Sequence, residues 1–127
     1  MTENELSRII LDKAFEIHSE FGPGLLESVY EELLCYKFEQ SNLNYQRQKP
    51  IPVIYNEIKL EIGFRADIIV ENRVIIEIKS VEYLADVHYK QLLTYLKITG
   101  LKLGLLINFN EALLKDGIKR IVNNLAE

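Results

Sequence analysis

Asp67, Glu77 and Lys79 stand on two Ile- and Val-rich runs within Gly63–Ser80, GFRADIIVENRVIIEIKS, which reads as a β-hairpin. Charges at these positions need a reason. Two carboxylates set opposite each other on a sheet repel and cost stability unless something neutralises them. A hard divalent cation does so. Mg²⁺ takes oxygen ligands, often one or two carboxylates with several waters, and leaves room for a phosphate oxygen. Lys79, two residues beyond Glu77, could hold or deprotonate a water or stabilise a phosphate in the transition state. The competing structural explanation is an ion pair of Lys79 with either acid on a half-exposed sheet.

Whether the acids meet depends on the loop. A two-residue turn at Asn72-Arg73 pairs Asp67 with Ile78 and separates the acids, whereas a three-residue loop, Glu71 to Arg73, pairs Asp67 with Glu77 directly. The second choice requires Asn72 or Arg73 in a left-handed conformation, which Asn tolerates better than most residues. We expect that odd loop, or a bulge, with Arg65, Asp67, Glu77 and Lys79 on one face. Strict alternation then puts Phe64, Ala66, Ile68 and Val70 on the other face.

Around the hairpin, the chain of 127 residues is expected to form one domain, with 48% apolar and 27% charged residues as in an ordinary globular protein. No apolar run is long enough to cross a bilayer, and MTENELSRII lacks the pattern of a signal peptide. A lone cysteine, Cys35, reads as a buried packing residue and fits a reducing, cytoplasmic location. The formal net charge of -4 argues against coating nucleic acid by bulk electrostatics, yet a carboxylate-rich site awaiting a metal contributes such charge itself.

The elements that must position the hairpin follow from periodicity. Leu6 to Ile17 has helical spacing and ends at Gly22-Pro23-Gly24. A second helix is expected from Gly24 or Leu25 to Gln40, with Leu26, Val29, Tyr30, Leu33, Leu34 and Phe38 as its apolar side. On it Glu27, Tyr30 and Glu31 lie within one turn, so that Glu27 could reach a site on the sheet or simply stabilise the helix start. Tyr45 to Tyr55, with Pro50 and Pro52, reads as an edge strand, and Asn56-Glu57 turns it into Ile58 to Gly63. A third helix over Val87–Thr99, capped at Asp86 and ended by Gly100, carries Leu92, Leu93 and Leu96 as core candidates, with His88, Gln91 and Tyr95 along an adjacent stripe. Leu103 to Phe109 reads as a buried strand. A closing hairpin around Lys115-Asp116-Gly117 is expected, and a short helix from Gly117 is the alternative. The order implies an α/β domain with a mixed sheet flanked by helices.

With these motifs in order, the chain resembles the PD-(D/E)XK nuclease superfamily, and within it the GxxExxY branch. Gly24-Leu25-Leu26-Glu27-Ser28-Val29-Tyr30 looks like the naming motif, Asp67 like the first acidic ligand, Glu77-Ile78-Lys79 like E-x-K, and Gln91 to Tyr95 like the Q-x-x-x-Y of RecB-like exonuclease members. Ala66 stands where the superfamily's name has proline. The resemblance implies a restriction-endonuclease-like core. It also implies a Mg²⁺ or Mn²⁺ site on Asp67, Glu77 and the carbonyl of Ile78, with Glu27 reaching in from its helix. Lys79 would position or activate water, and Gln91 would orient that lysine or contact phosphate. Tyr30 and Tyr95 would support the site, and Arg65 and His88 are grouped with them by position. The implied chemistry is phosphodiester hydrolysis, with one or two metal ions stabilising charge on the non-bridging oxygens and supplying hydroxide near neutral pH.

Two functions therefore compete. One is a metal-dependent nuclease acting on nucleic acid, with DNA ahead of RNA. The other is a catalytically silent nuclease-fold module that binds or regulates a partner. The intact acids and lysine favour the first, and the acidic charge of so small a domain favours the second. A homodimer or a partner protein would reconcile them by enlarging the surface that holds a polymer.

Overall fold

The computed structural model describes residues 1–126. Two helices, α1 (Glu3–Phe21) and α2 (Glu27–Gln40), precede strands β1 (Tyr45–Tyr55), β2 (Ile58–Val70) and β3 (Val74–Lys79). Helix α3 (Asp86–Thr99), strand β4 (Leu103–Asn108), a 3₁₀ turn (Leu114–Gly117) and strand β5 (Ile118–Val122) follow. The five strands form one mixed sheet in chain order, with β3 and β4 parallel and the other pairs antiparallel. A parallel pair requires a crossover, and α3 supplies it. This is the expected α/β architecture.

Each sheet face is covered by its own helical layer. Leu6, Ile10, Ala14 and Ile17 of α1 and Tyr30, Leu34 and Phe38 of α2 pack on Ile68, Val70, Val74, Ile76 and Ile78. Leu92, Tyr95 and Leu96 of α3 pack on the opposite face, against Ala66, Ile69, Ile75 and Leu106. Covered on both sides, β3 and β4 are buried almost throughout, which is why their sequences are near-continuous apolar runs. The packing is close. A Cβ at Gly104 would fall 2.8 Å from Leu92 Cγ, so glycine lets α3 seat on β4.

Most boundaries follow the sequence, and the exceptions have local causes. Helix α1 starts at a reciprocal cap, Thr2 with Glu5, before its first apolar residue. Helix α2 starts at Glu27 rather than Gly24, because Gly24 has φ 104° and Leu26 is extended. Its buried side is correspondingly different. Leu26 and Val29 are exposed, while Glu31 and Cys35 are buried beside Tyr30, Leu34 and Phe38. At α3, Asp86 is the first helical residue and His88 Nδ1, not Asp86, accepts the Ala85 N–H that caps the helix. Leu93 is only half-buried. The last strand pairs with β4 instead of with residues 112–114, which form no strand; Gly117 lies against the Asn108 carbonyl, where a Cβ would come within 2.3 Å. His18 of α1 is half-buried, and its Nε2 bonds the Glu111 carbonyl at 2.8 Å.

The β2–β3 connection is the three-residue loop that lets the acids meet. Val70 pairs with Val74, Ile69 with Ile75 and Ile68 with Ile76, and continuing that register puts Asp67 opposite Glu77. Glu71 and Asn72 take the left-handed conformation, at φ 51° and 52°. Arg73, the other candidate for it, does not.

Candidate functional site

The β2–β3 ladder stops where the acids begin. Its last pair is Ile68 with Ile76, and beyond it the strands exchange side-chain bonds in place of backbone ones. Glu77 Oε2 accepts the Asp67 N–H at 3.0 Å, and Asp67 Oδ2 accepts the Ile78 N–H at 2.8 Å. Each carboxylate thus satisfies an N–H on the strand opposite. Unpaired buried N–H groups are costly, so this exchange is what allows the strands to part.

The expected common face for Arg65, Asp67, Glu77 and Lys79 is not what forms. Ile68 and Val70 face the α1–α2 layer, but Ala66 packs in the α3 layer and Phe64 stacks on Tyr95 at 4.0 Å between ring centroids. Alternation therefore slips at Asp67, which lines a cleft with Glu27 and Glu31 of α2, while Glu77 keeps the α3-facing register of Ile75. The distortion extends across the ladder. Gln48, the residue of β1 opposite Asp67 between the pairs Arg47–Ile68 and Lys49–Ala66, has φ 52°. A left-handed non-glycine residue costs about 1–2 kcal/mol. The acids consequently meet at the opening between two strands, approached from both layers.

Electrostatics there are unfavourable without a cation. Glu77 is 8% exposed, and its carboxyl is pushed up to about 9 from an ordinary 4.5. Burial is the main cause, followed by the charge of Asp67 and by a hydrogen bond between the two carboxyl groups that favours the protonated form; the bond from the Asp67 N–H and then the charge of Lys79 oppose the shift. Tyr95 is also raised, by burial and then by Glu77 and Asp67, so this ring lies in the field of both acids. Lys79 is half-buried, and among the described residues its ammonium forms no ion pair within 4 Å with either acid. The structural explanation weighed for Lys79 is therefore not the one adopted.

Helix α2 brings further carboxylates to the opening. A cleft of about 250 Å³ is lined by Glu27, Ser28, Glu31, Gln48, Asp67 and Ile78. Glu27 Oε2 accepts the Ser80 N–H at 3.1 Å, just past Lys79. Tyr30 is fully buried, stacks on Phe109 at 4.3 Å, donates its hydroxyl to the Gly22 carbonyl at 2.6 Å and accepts the Leu25 N–H at 3.2 Å. It thereby shapes the loop that delivers Glu27. Ser80 Oγ donates to the Leu25 carbonyl at 2.8 Å, closing the loop onto the end of β3.

The remaining members of the sequence-derived set lie further out. Gln91 is exposed on α3, with no side-chain hydrogen bond to a described residue. His88 caps α3, and Arg65 is exposed with a long contact, 3.5 Å, to the Gln48 carbonyl. Other participants carried no site role in the sequence, Glu31 being placed only within one turn of Glu27 and Tyr30. Glu31, buried at 5% exposure, binds Arg47 at 2.6 Å and Gln48 at 2.7 Å, and Gln48 Nε2 also reaches Asp67 Oδ1 at 3.5 Å. Asn108, fully buried, uses its amide to grip both backbone groups of Val81 and so fixes the chain after Ser80. An acidic residue on the buried side of α2, one residue after Tyr30, was the available signal for Glu31; nothing local marked Gln48.

A family model for the PD-(D/E)XK nuclease superfamily matches residues 4–121, from the start of α1 into β5. The chain belongs to the PD-(D/E)XK nuclease superfamily. Its sheet and flanking helices are the restriction-endonuclease-like fold of that superfamily. No curated protein and no solved structure matches the chain. Superfamily nucleases generally use divalent metal ions, and the residues present can be tested for that. Among the described residues no three His, Cys, Asp or Glu side chains gather as a ready metal cage. An ion would rest on the Asp67–Glu77 pair, and two carboxylates completed by water are within the habit of Mg²⁺. Each acid commits one oxygen to a backbone N–H and has a second. The donor chemistry fits, and the repulsion between the acids is what a cation would remove.

Proposed function

We propose that the chain is a divalent-metal-dependent nuclease of the GxxExxY branch, hydrolysing phosphodiester bonds at the opening between β2 and β3. The observation that carries this reading is a buried acid, Glu77, held against a second acid, Asp67, in an arrangement destabilised unless charge is neutralised. Asp67 and Glu77, with the Ile78 carbonyl, would hold Mg²⁺ or Mn²⁺. Glu27, already at the end of β3, would bind from the α2 side. When bound, the ion supplies charge for the non-bridging oxygens and lowers the pKa of water.

The chain's own residues do the rest. Lys79, outside any ion pair with the acids, is left to hold the attacking water or a phosphate oxygen. Tyr30 and Tyr95 keep the two helical layers in register with the acids. Gln91 takes part by contacting phosphate from the exposed side of α3. The proposal takes DNA, ahead of RNA, as substrate and the cytoplasm as the place of action, with a homodimer or partner protein to help hold a polymer. The formal net charge of -4 favours a second reading, a silent nuclease-fold module that binds or regulates a partner.

The deciding experiment is calorimetric titration of Mg²⁺ and Mn²⁺ into the wild type and Asp67→Ala, with cleavage assays on single- and double-stranded DNA and RNA. Binding lost in Asp67→Ala and cleavage lost in Lys79→Ala support the nuclease. Metal binding without cleavage of any substrate supports the silent module. No metal binding by the wild type overturns the metal site.

A further inference from the structure

Gln48 is an exposed residue of an edge strand, and nothing about its type requires a left-handed backbone there. Its φ of 52° nevertheless stands directly across from Asp67. That conformation buys one arrangement: the side-chain amide donates to the buried Glu31 Oε1 at 2.7 Å while the same nitrogen reaches Asp67 Oδ1 at 3.5 Å. Glu31 is fixed in turn by Arg47 Nε at 2.6 Å. The amide is therefore anchored firmly at one end and touches the candidate metal-binding acid lightly at the other.

We infer that Gln48 is a positioning residue for Asp67, orienting the carboxylate oxygen that is not committed to the Ile78 N–H and keeping Glu31 from crowding it. The inference rests on the proposed metal site. Two details give it direction. The 3.5 Å contact is too long to contribute much to stability, so a folding loss in a Gln48 variant reports the 2.7 Å bond to buried Glu31, and the contact with Asp67 is read in metal affinity. An amide is neutral and donates to both acids at once, whereas a lysine there would form an ion pair and compete with a cation for Asp67.

The test uses the full chain, with Mn²⁺ as probe. Gln48→Ala should weaken Mn²⁺ binding 10–100-fold, the usual loss for a residue that orients a metal ligand. Gln48→Gly, which accepts positive φ without strain, should melt at or above Gln48→Ala yet show the same loss of affinity. Restored melting separates backbone strain from positioning. Affinity within twofold of the wild type in either variant, while Asp67→Ala abolishes binding, overturns the role of Gln48 and leaves the metal site standing. Failure of the wild type to bind Mn²⁺ overturns the site and this role with it. A readout that needs no variant of Gln48 is the ¹⁵N spectrum: its side-chain amide resonances should shift on adding Mg²⁺ to the wild type and not to Asp67→Ala. Resonances that stay fixed while Mg²⁺ binds would overturn the inference.

Discussion

Asp67 and Glu77 bond each other's strands: Glu77 Oε2 takes the Asp67 N–H, and Asp67 Oδ2 takes the Ile78 N–H one residue further along. The exchange ends the β2–β3 ladder and leaves two carboxyl groups against each other in a largely dry position. A sheet gains nothing from such an arrangement for stability alone. Its consequences are measurable.

Glu77 links stability to pH. Its carboxyl ionises near 4.5 in the unfolded chain and is pushed up to about 9 in the fold. Between these values the folded state holds the extra proton, so stability falls as pH rises through the window and levels off above it. Urea melts between pH 5 and 9 should show this decline, and Glu77→Gln should flatten it. An unchanged slope in Glu77→Gln would assign the dependence to other groups.

Replacing the ionisable carboxyl should also trade function for stability. At pH 8, Glu77→Gln is expected to raise unfolding free energy by about 0.5–2 kcal/mol, the range seen when destabilising features are relieved. The same variant should no longer bind Mn²⁺. If it is less stable than wild type across the whole range, the hydrogen bond to Asp67 N–H outweighs the repulsion.

Metal binding should release a proton from the acid pair. Burial and the neighbouring Asp67 push the Glu77 carboxyl up and favour its protonated form near neutral pH, and a ligand carboxylate must lose that proton. Calorimetric enthalpies of Mg²⁺ binding measured in buffers of different ionisation enthalpy should differ in proportion to about one proton. Buffer-independent enthalpies would indicate that Glu77 stays protonated and does not ligate.

Lys79→Met is expected to lower the cleavage rate by roughly 10²–10⁴, the range for a proton-handling group, with Mn²⁺ affinity close to wild type. Single-turnover cleavage beside a metal titration separates the two effects. A parallel loss of affinity would move Lys79 from chemistry to support of the acids.

Tyr30→Phe removes one hydroxyl that serves Gly22 and Leu25. The variant should lose about 1–3 kcal/mol of stability by leaving those groups unsatisfied. It should also slow cleavage, because the loop delivers Glu27 to Ser80. Thermal melts and rates on the same preparation check both. Stability lost with full activity retained would confine Tyr30 to packing with Phe109.

Much of this molecule was legible from its residues because local chemistry was decisive. Near-continuous apolar runs marked β3 and β4, Gly100 closed α3 in a left-handed conformation, and Asn56-Glu57 turned the first hairpin, since each depends on neighbours in sequence. The three-residue loop that brings Asp67 level with Glu77 follows from the need to pair the apolar sets on either side. Cys35, buried and pushed up to about 12, is the inert packing residue that its apolar helix implied. Only the tertiary structure decided where the acids point. Alternation within β2 slips at Asp67 where Gln48, on a different strand, adopts a left-handed backbone and reaches Glu31 on a helix further back in the chain. Glu31, Arg47 and Gln48 enter the site through contacts between elements, and of the stripe His88, Gln91 and Tyr95 only Tyr95 packs on the sheet with Leu92 and Leu96, which leaves Gln91 exposed. A period-two pattern fixes which residues share a face while the ladder is regular; where two layers meet across a distorted pair, packing chooses the direction of each side chain.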